Sequence, residues 1–174
     1  MKIIFLMLAG WVFTTTSFYT LQFQDTDGIN RNMSTYEGKK ILLVNIATGS
    51  SRVGQLTRLQ QLQQQFADSL VIIGFPSNSF GKESRTDTEI KQFCQGQHGV
   101  SFPIAKKGMV KGAGIHPVFA WLTSSTQNGV INDSIRGDFQ KMLISKSGQI
   151  IGIYSPNLDP LSPEIVNAIQ DPNY

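Results

Sequence analysis

The sequence predicts an α/β layer fold built on a mixed sheet. Three observations carry that expectation. Ile41–Ala47 and Leu70–Phe75 are nearly continuous apolar runs, the pattern of strands buried on both faces. Between them, Leu56, Leu59, Leu62 and Phe66 recur at helical spacing, with glutamines on the opposite side. Near the end, Phe139–Ile144 and Ile150–Ser155 flank Lys146-Ser147-Gly148, a hairpin turn. A strand–helix–strand unit gives a parallel pair and a hairpin an antiparallel one, so one sheet holds both.

The remaining elements follow in chain order. Phe18–Phe23 alternates and meets the turn residues Asp25–Gly28, which reads as the start of a hairpin. Met33–Gly38 is a short polar connection. Gln60–Gln65 is rich in glutamine, yet the leucine spacing persists through it, so it reads as the wet face of the first helix. Pro76–Glu83 is a loop. Thr88–Gln95 is a second helix, capped by Asp87 or Thr88 and ended by Gly96. Val100–Ile104 is short and extended. His116 precedes Pro117, which suits a first helical turn running to Leu122. Pro163–Gln170 is a closing amphipathic helix.

Composition narrows the function. At 174 residues, 40% apolar and 16% charged, the chain fits one globular domain with a buried core. The net charge of +3 is spread along the sequence with no dense Lys/Arg run, so nucleic acid is not an expected partner. Cys94 is the single cysteine, which excludes an intramolecular disulfide and a Cys-rich metal site. His98 and His116 are far apart with no ligand-like spacing to a carboxylate. No metal or other cofactor is expected. Nothing in the sequence sets an oligomeric state.

The first 17 residues have the layout of a secretory leader: Met1-Lys2, an apolar run over Ile3–Phe13, then small polar residues Thr14–Ser17. The run is short for a bilayer span. The expectation is an exported domain over 18–174, periplasmic or secreted. The alternative is a leader left uncleaved as a membrane tether.

The blocks Val44-Asn45-Ile46-Ala47-Thr48, Gly74-Phe75-Pro76-Ser77-Asn78-Ser79-Phe80-Gly81, Phe93-Cys94-Gln95, Gly99–Pro103, His116-Pro117 and Trp121-Leu122 occur in order. Phe139 with Lys141–Leu143 continues the pattern. Together they resemble the glutathione peroxidase family over about residues 17–170. The resemblance implies a thioredoxin-like fold and reduction of hydrogen peroxide or lipid hydroperoxides by a thiol or selenol. Such chemistry needs a cysteine or selenocysteine at the turn after the first buried strand and a helix N-terminus behind it. It also needs Gln, Trp and Asn donors around the thiolate, and a thiol reductant, glutathione or thioredoxin.

By that resemblance the peroxidatic position falls on Ser50. The family glutamine falls on Ser79, and the family Trp-Asn pair falls on Gly137-Asp138. Ser51 and Val53 stand where the family has Gly and Thr, and Ser77 where some relatives carry cysteine. A serine hydroxyl cannot cycle through a sulfenic acid, and a helix dipole worth about 1 kcal/mol does not ionise it at neutral pH. Asp138 puts a carboxyl where the family has an amide, and Gly137 removes an aromatic wall. Four changes at one site do not fit a single laboratory substitution. Gly49-Ser50-Ser51-Arg52-Val53 is half a nucleophile elbow, but Val53 replaces the closing Gly and neither histidine is placed as a base.

The expectation is therefore a redox-inactive family member. Ser50 and Ser51 cap the following helix, Cys94 is a buried hydrophobe, and His98 is a loop residue. The old site becomes a shallow pocket lined by Ser50, Ser79 and Asp138, open to a small polar ligand or a partner segment. The alternative is an active thiol peroxidase that uses Cys94 or an unusual mechanism.

Overall fold

The structure, a computed structural model, describes residues 15–174. The leader assigned to residues 1–17 lies almost wholly outside the described residues. Four strands make the central sheet: β3 (Lys40–Ile46), β4 (Leu70–Pro76), β5 (Lys141–Ile144) and β6 (Ile150–Tyr154), preceded by a small hairpin of β1 (Gln22–Gln24) and β2 (Asn30–Asn32). The sheet order is β4-β3-β5-β6. β3 pairs parallel with β4 and antiparallel with β5, and β5 pairs antiparallel with β6. The expected mixed sheet is present.

Five helices pack around it: α1 (Gln55–Gln65), α2 (Asp87–His98), α3 (Pro117–Leu122), α4 (Ser125–Asn128) and α5 (Pro163–Gln170). Every residue of β3 is buried. The two-residue period sends Leu42, Val44 and Ile46 into a core layer with Leu56, Leu59, Leu62, Ile90, Cys94 and Ile165. Ile41 and Leu43 face the other layer, with Phe18, Phe75, Phe119, Trp121 and Met142. A strand covered on both sides has no polar face to show, hence its continuous apolar run.

Several boundaries differ from the sequence reading. Phe18–Thr20 is a 3-10 turn rather than strand, because Phe18 is drawn into the core against Trp121, ring centroids 5.2 Å apart. Met33–Tyr36 is also 3-10, and Met33 is fully buried despite its polar surroundings. α2 starts earlier and ends later than expected. Its cap is Thr86, whose side chain takes the Glu89 N–H while the Glu89 carboxylate accepts the Thr86 N–H at 2.8 Å. The helix stops at Gly99, left-handed at φ 66°, and not at Gly96. His98 is therefore the last residue of the helix. Val100–Ile104 forms no strand, but Gly74 N–H donates to Pro103 O and Ala105 N–H to Gly74 O, which extends the β4 edge. α4 is a single turn with no sequence expectation. β5 begins at Lys141, because Phe139 turns left-handed just before it.

Candidate functional site

The site is built at the C-terminal end of β3, where the chain leaves the sheet through Ala47-Thr48-Gly49-Ser50. Glu83, Lys82 and Arg85 fix this turn to the loop after β4, Arg85 Nη1 donating to the Thr48 hydroxyl oxygen at 2.6 Å. Glu83, 1% exposed, accepts the Thr48 N–H at 2.6 Å and the Thr48 hydroxyl at 2.8 Å. Gly49 N–H donates to Lys82 O at 3.0 Å. A Cβ on Gly49 would sit 2.7 Å from that carbonyl oxygen, so the approach requires glycine.

Ser50 is 5% exposed, and its hydroxyl accepts the Arg52 N–H at 3.3 Å. Successive three-residue turns, Val53 N to Ser50 O and Gln55 N to Arg52 O, carry the chain to α1. The residue flanking α1 is Gly54, with no side-chain cap. The expectation that Ser50 and Ser51 cap this helix is thus corrected: Ser50 closes the turn ahead of it, and Ser51 is exposed.

Gly137 and Asp138 reach the same end of β3 through Asn45. The Asn45 side-chain Nδ2 donates to Gly137 O at 3.0 Å, and Phe139 N–H donates to Asn45 O at 2.6 Å. Phe139 is the one non-glycine with positive φ, 68°, among the described residues. That conformation costs about 1–3 kcal/mol and persists because the fully buried Phe139 ring anchors it. The bend tucks Asp138 inward, 4% exposed, with Oδ1 lacking any hydrogen-bond partner. Asn45 Oδ1 is likewise unpartnered. Burial raises the Asp138 carboxyl above its usual range. Arg52, Lys82 and Lys111 oppose that, and Glu83 adds to it. The Asn45 hydrogen bonds place the 137–139 bend at the end of β3 from which the Ser50 turn departs.

Ser79 lies on the loop after β4, whose Ser77 N–H donates to Ile46 O at the end of β3. Its hydroxyl accepts from Ser77 Oγ at 2.9 Å and from the Val110 N–H at 3.0 Å. Among the described residues no hydrogen bond joins it to Ser50 or Asp138. Ser50, Ser79, Gly137 and Asp138 line none of five well-formed surface cavities among the described residues, so the expected shallow pocket is not one of these.

The lone thiol does not reach this corner. Cys94 is fully buried in the α1/α2 core layer, and burial pushes its thiol up to about 12. His98 Nδ1 is 2.9 Å from the Thr57 hydroxyl, and His116 Nδ1 accepts the Val118 N–H at 3.2 Å as the α3 cap. Burial lowers both imidazoles. Among the described residues neither histidine is hydrogen-bonded to Ser50. Among the described residues no cluster of three or more His, Cys, Asp or Glu could hold a metal. The sequence reading passed over Glu83 and Asn45, the two residues that hold the corner together. An acid in a polar loop and an amide inside a strand carry no periodic signal.

This architecture is that of a thioredoxin-like protein. The crystal structure of Trgpx in its apo form superposes with a TM-score of 0.69 at 27% identity, covering 91% of this chain and 99% of that one. A Trypanosoma cruzi structure, GPX1, shares the fold at TM-score 0.66 and 22% identity, covering 87% of this chain and 92% of that one. The glutathione peroxidase family profile matches residues 18–123. The glutathione peroxidase homolog BsaA of Bacillus subtilis is 32% identical over 158 residues, 88% of this chain and 99% of the relative. The glutathione peroxidase-like peroxiredoxin GPX5 of Chlamydomonas reinhardtii is 38% identical over 152 residues, 85% of this chain and 93% of the relative. The chain belongs to the glutathione peroxidase family.

Proposed function

We propose that this chain keeps the glutathione peroxidase scaffold without peroxide turnover, and that the corner of Ser50, Gly137 and Asp138 now serves a binding or structural role. One observation carries the reading: the turn that should present a thiolate holds Ser50, while the only thiol, Cys94, is fully buried and pushed up to about 12. Peroxide reduction needs a thiolate that attacks the O–O bond, takes one oxygen as a sulfenic acid and is then reduced by a second thiol. An alcohol has no such cycle. Cys94 has the sulfur but neither the exposure nor the ionisation.

A second reading is favoured by relatives named as peroxiredoxins, the Chlamydomonas protein among them. It makes the chain an active thiol-dependent peroxidase of the oxidative-stress response, reduced by glutathione or thioredoxin. The test is turnover of hydrogen peroxide and a lipid hydroperoxide with each reductant, beside Ser50→Cys and Cys94→Ala. Silence in the wild type and turnover in Ser50→Cys support the first reading. Wild-type turnover that Cys94→Ala abolishes establishes the second.

We also propose export, with Met1–Ser17 as the leader. The intact mass of the protein recovered from expressing cells decides it, since a full-length mass excludes cleavage.

A further inference from the structure

We propose that Asp138 is a protonation-controlled latch on the bend at 137–139, holding the corner beside the Ser50 turn closed while neutral and releasing it when ionised. Asp138 is 4% exposed, and its Oδ1 meets no donor. A carboxylate oxygen taken out of water needs a hydrogen bond or a counter-ion, and among the described residues Oδ1 has no hydrogen bond and Asp138 no ion pair. Among the described residues the four ion pairs are Arg31–Asp25, Arg58–Asp159, Lys91–Asp27 and Arg136–Asp133. A neutral carboxyl tolerates the closed position better than an ionised one.

The charged groups that act on Asp138 come from three segments. Arg52 lies on the turn ahead of α1, Lys82 and Glu83 on the loop after β4, and Lys111 on the loop before α3. Glu83 is committed to Thr48 and to the Arg85 N–H. Arg52 donates to Asn157 Oδ1, and the Lys111 ammonium sits 4.0 Å over the Phe80 ring. Lys82 is exposed, and its ammonium makes no hydrogen bond among the described residues. An ionised Asp138 that swings outward gains that cation.

Phe139 is held left-handed at φ 68°, where a side chain is strained, and Asn45 Oδ1 inside the bend also lacks a donor. Rotation about residues 137 and 138, with the buried Phe139 ring as a fixed pivot, lets water reach Asp138 Oδ1. One proton leaves Asp138 for solvent on opening. Burial holds the carboxyl above the ordinary range, so the closed form is complete at low pH and is lost as pH rises through the folded-state titration of Asp138. The latch does not depend on whether the corner turns over peroxide.

The experiment is an NMR titration of the Asp138 carboxyl carbon in the full chain. Hydrogen exchange of the 137–139 amides is followed in parallel and corrected for intrinsic base catalysis. The expected result is a midpoint above those of the exposed aspartates, and a loss of protection that develops below that midpoint, at most about tenfold per pH unit for one proton, and levels off above it. Protection in Asp138→Asn stays flat with pH. Lys82→Gln, a surface change, moves the opening midpoint upward by removing the outward partner, and it serves if Asp138→Asn does not fold. The latch is overturned if Asp138 titrates with the exposed aspartates and protection is flat in wild type. It is equally overturned if Asp138→Asn repeats the wild-type loss, or if the Lys82→Gln midpoint is unchanged.

Discussion

At residue 49 the site and the fold ask for the same atom to be absent. Gly49 brings its backbone within hydrogen-bonding distance of Lys82 O, and an added Cβ would stand 2.7 Å from that oxygen. A backbone carbonyl in a locked loop cannot yield, because Glu83 next to it is tied to Thr48. Gly49→Ala is therefore expected to destabilise by about 1–3 kcal/mol, read as a lower urea midpoint with an unchanged slope. Gly54, five residues on, is the opposite case. It lies at φ −58° and ψ −19°, and nothing approaches a Cβ there. Gly54→Ala is expected to stabilise by about 0.4–1 kcal/mol, chiefly by restricting the unfolded chain. Equal effects at the two positions would refute the assignment of Gly49 to a close approach.

At the scale of elements, the informative segment is the glutamine run of α1. Its spacing reads as a wet face, and Gln64 and Gln65 are exposed as that reading requires. Gln63 departs from it. Its amide donates to Leu70 O at 2.9 Å and accepts the Ile72 N–H at 2.7 Å, so it fills the hydrogen-bonding edge of β4 as another strand would. Gln60, 7% exposed, accepts the Ser101 N–H at 2.8 Å and donates to the Ser101 hydroxyl at 2.9 Å. Gln63→Ala strands a donor and an acceptor on an edge strand and is expected to cost about 1–3 kcal/mol. Gln65→Ala is expected to fall within about 0.5 kcal/mol of wild type. Thermal or urea unfolding of the pair decides it, and a neutral Gln63→Ala would return the run to a solvated face. The same contrast marks what the sequence could tell. β3 and β4 were legible because burial on two faces leaves a continuous apolar run. The ends of α2 were not, since Thr86 and Gly99 are picked out by backbone geometry that Asp87 and Gly96 imitate in sequence. At the site the turn and Ser50 were legible from strand and motif. The buried tie of Glu83 to Thr48, the Asn45 bridge and the hydrogen bond from Val110 to Ser79 are tertiary contacts that no local pattern encodes.

Across the whole molecule, two buried lysines tie the sheet to the chain's last segments. Lys40 donates to Ala168 O, Ile169 O and Asp171 O at 2.8, 3.0 and 2.6 Å, which satisfies carbonyls at the end of α5. Lys141 donates to Ser155 O, Pro156 O and Leu158 O, the last at 2.6 Å, and so clamps the loop after β6 across the sheet. That loop also receives Arg52 and Gln55, so the Lys141 clamp steadies the segment on which the Ser50 turn leans. Burial pushes the Lys141 ammonium down to about 8 from an ordinary value of 10.5. Between those two values the unfolded chain binds more protons than the folded one, so this residue's contribution to stability rises with pH. Below about 8 both states are protonated, and the cost of burying the charge is carried in full. Other groups titrate in the same range, so the test is the difference between wild type and Lys141→Met, measured as Tm from pH 7 to pH ~10. The difference is expected to be level up to about pH 8 and then to move in favour of wild type. A difference that stays level throughout would mean that Lys141 keeps an ordinary ammonium, and that its three carbonyls fully replace the water it gave up.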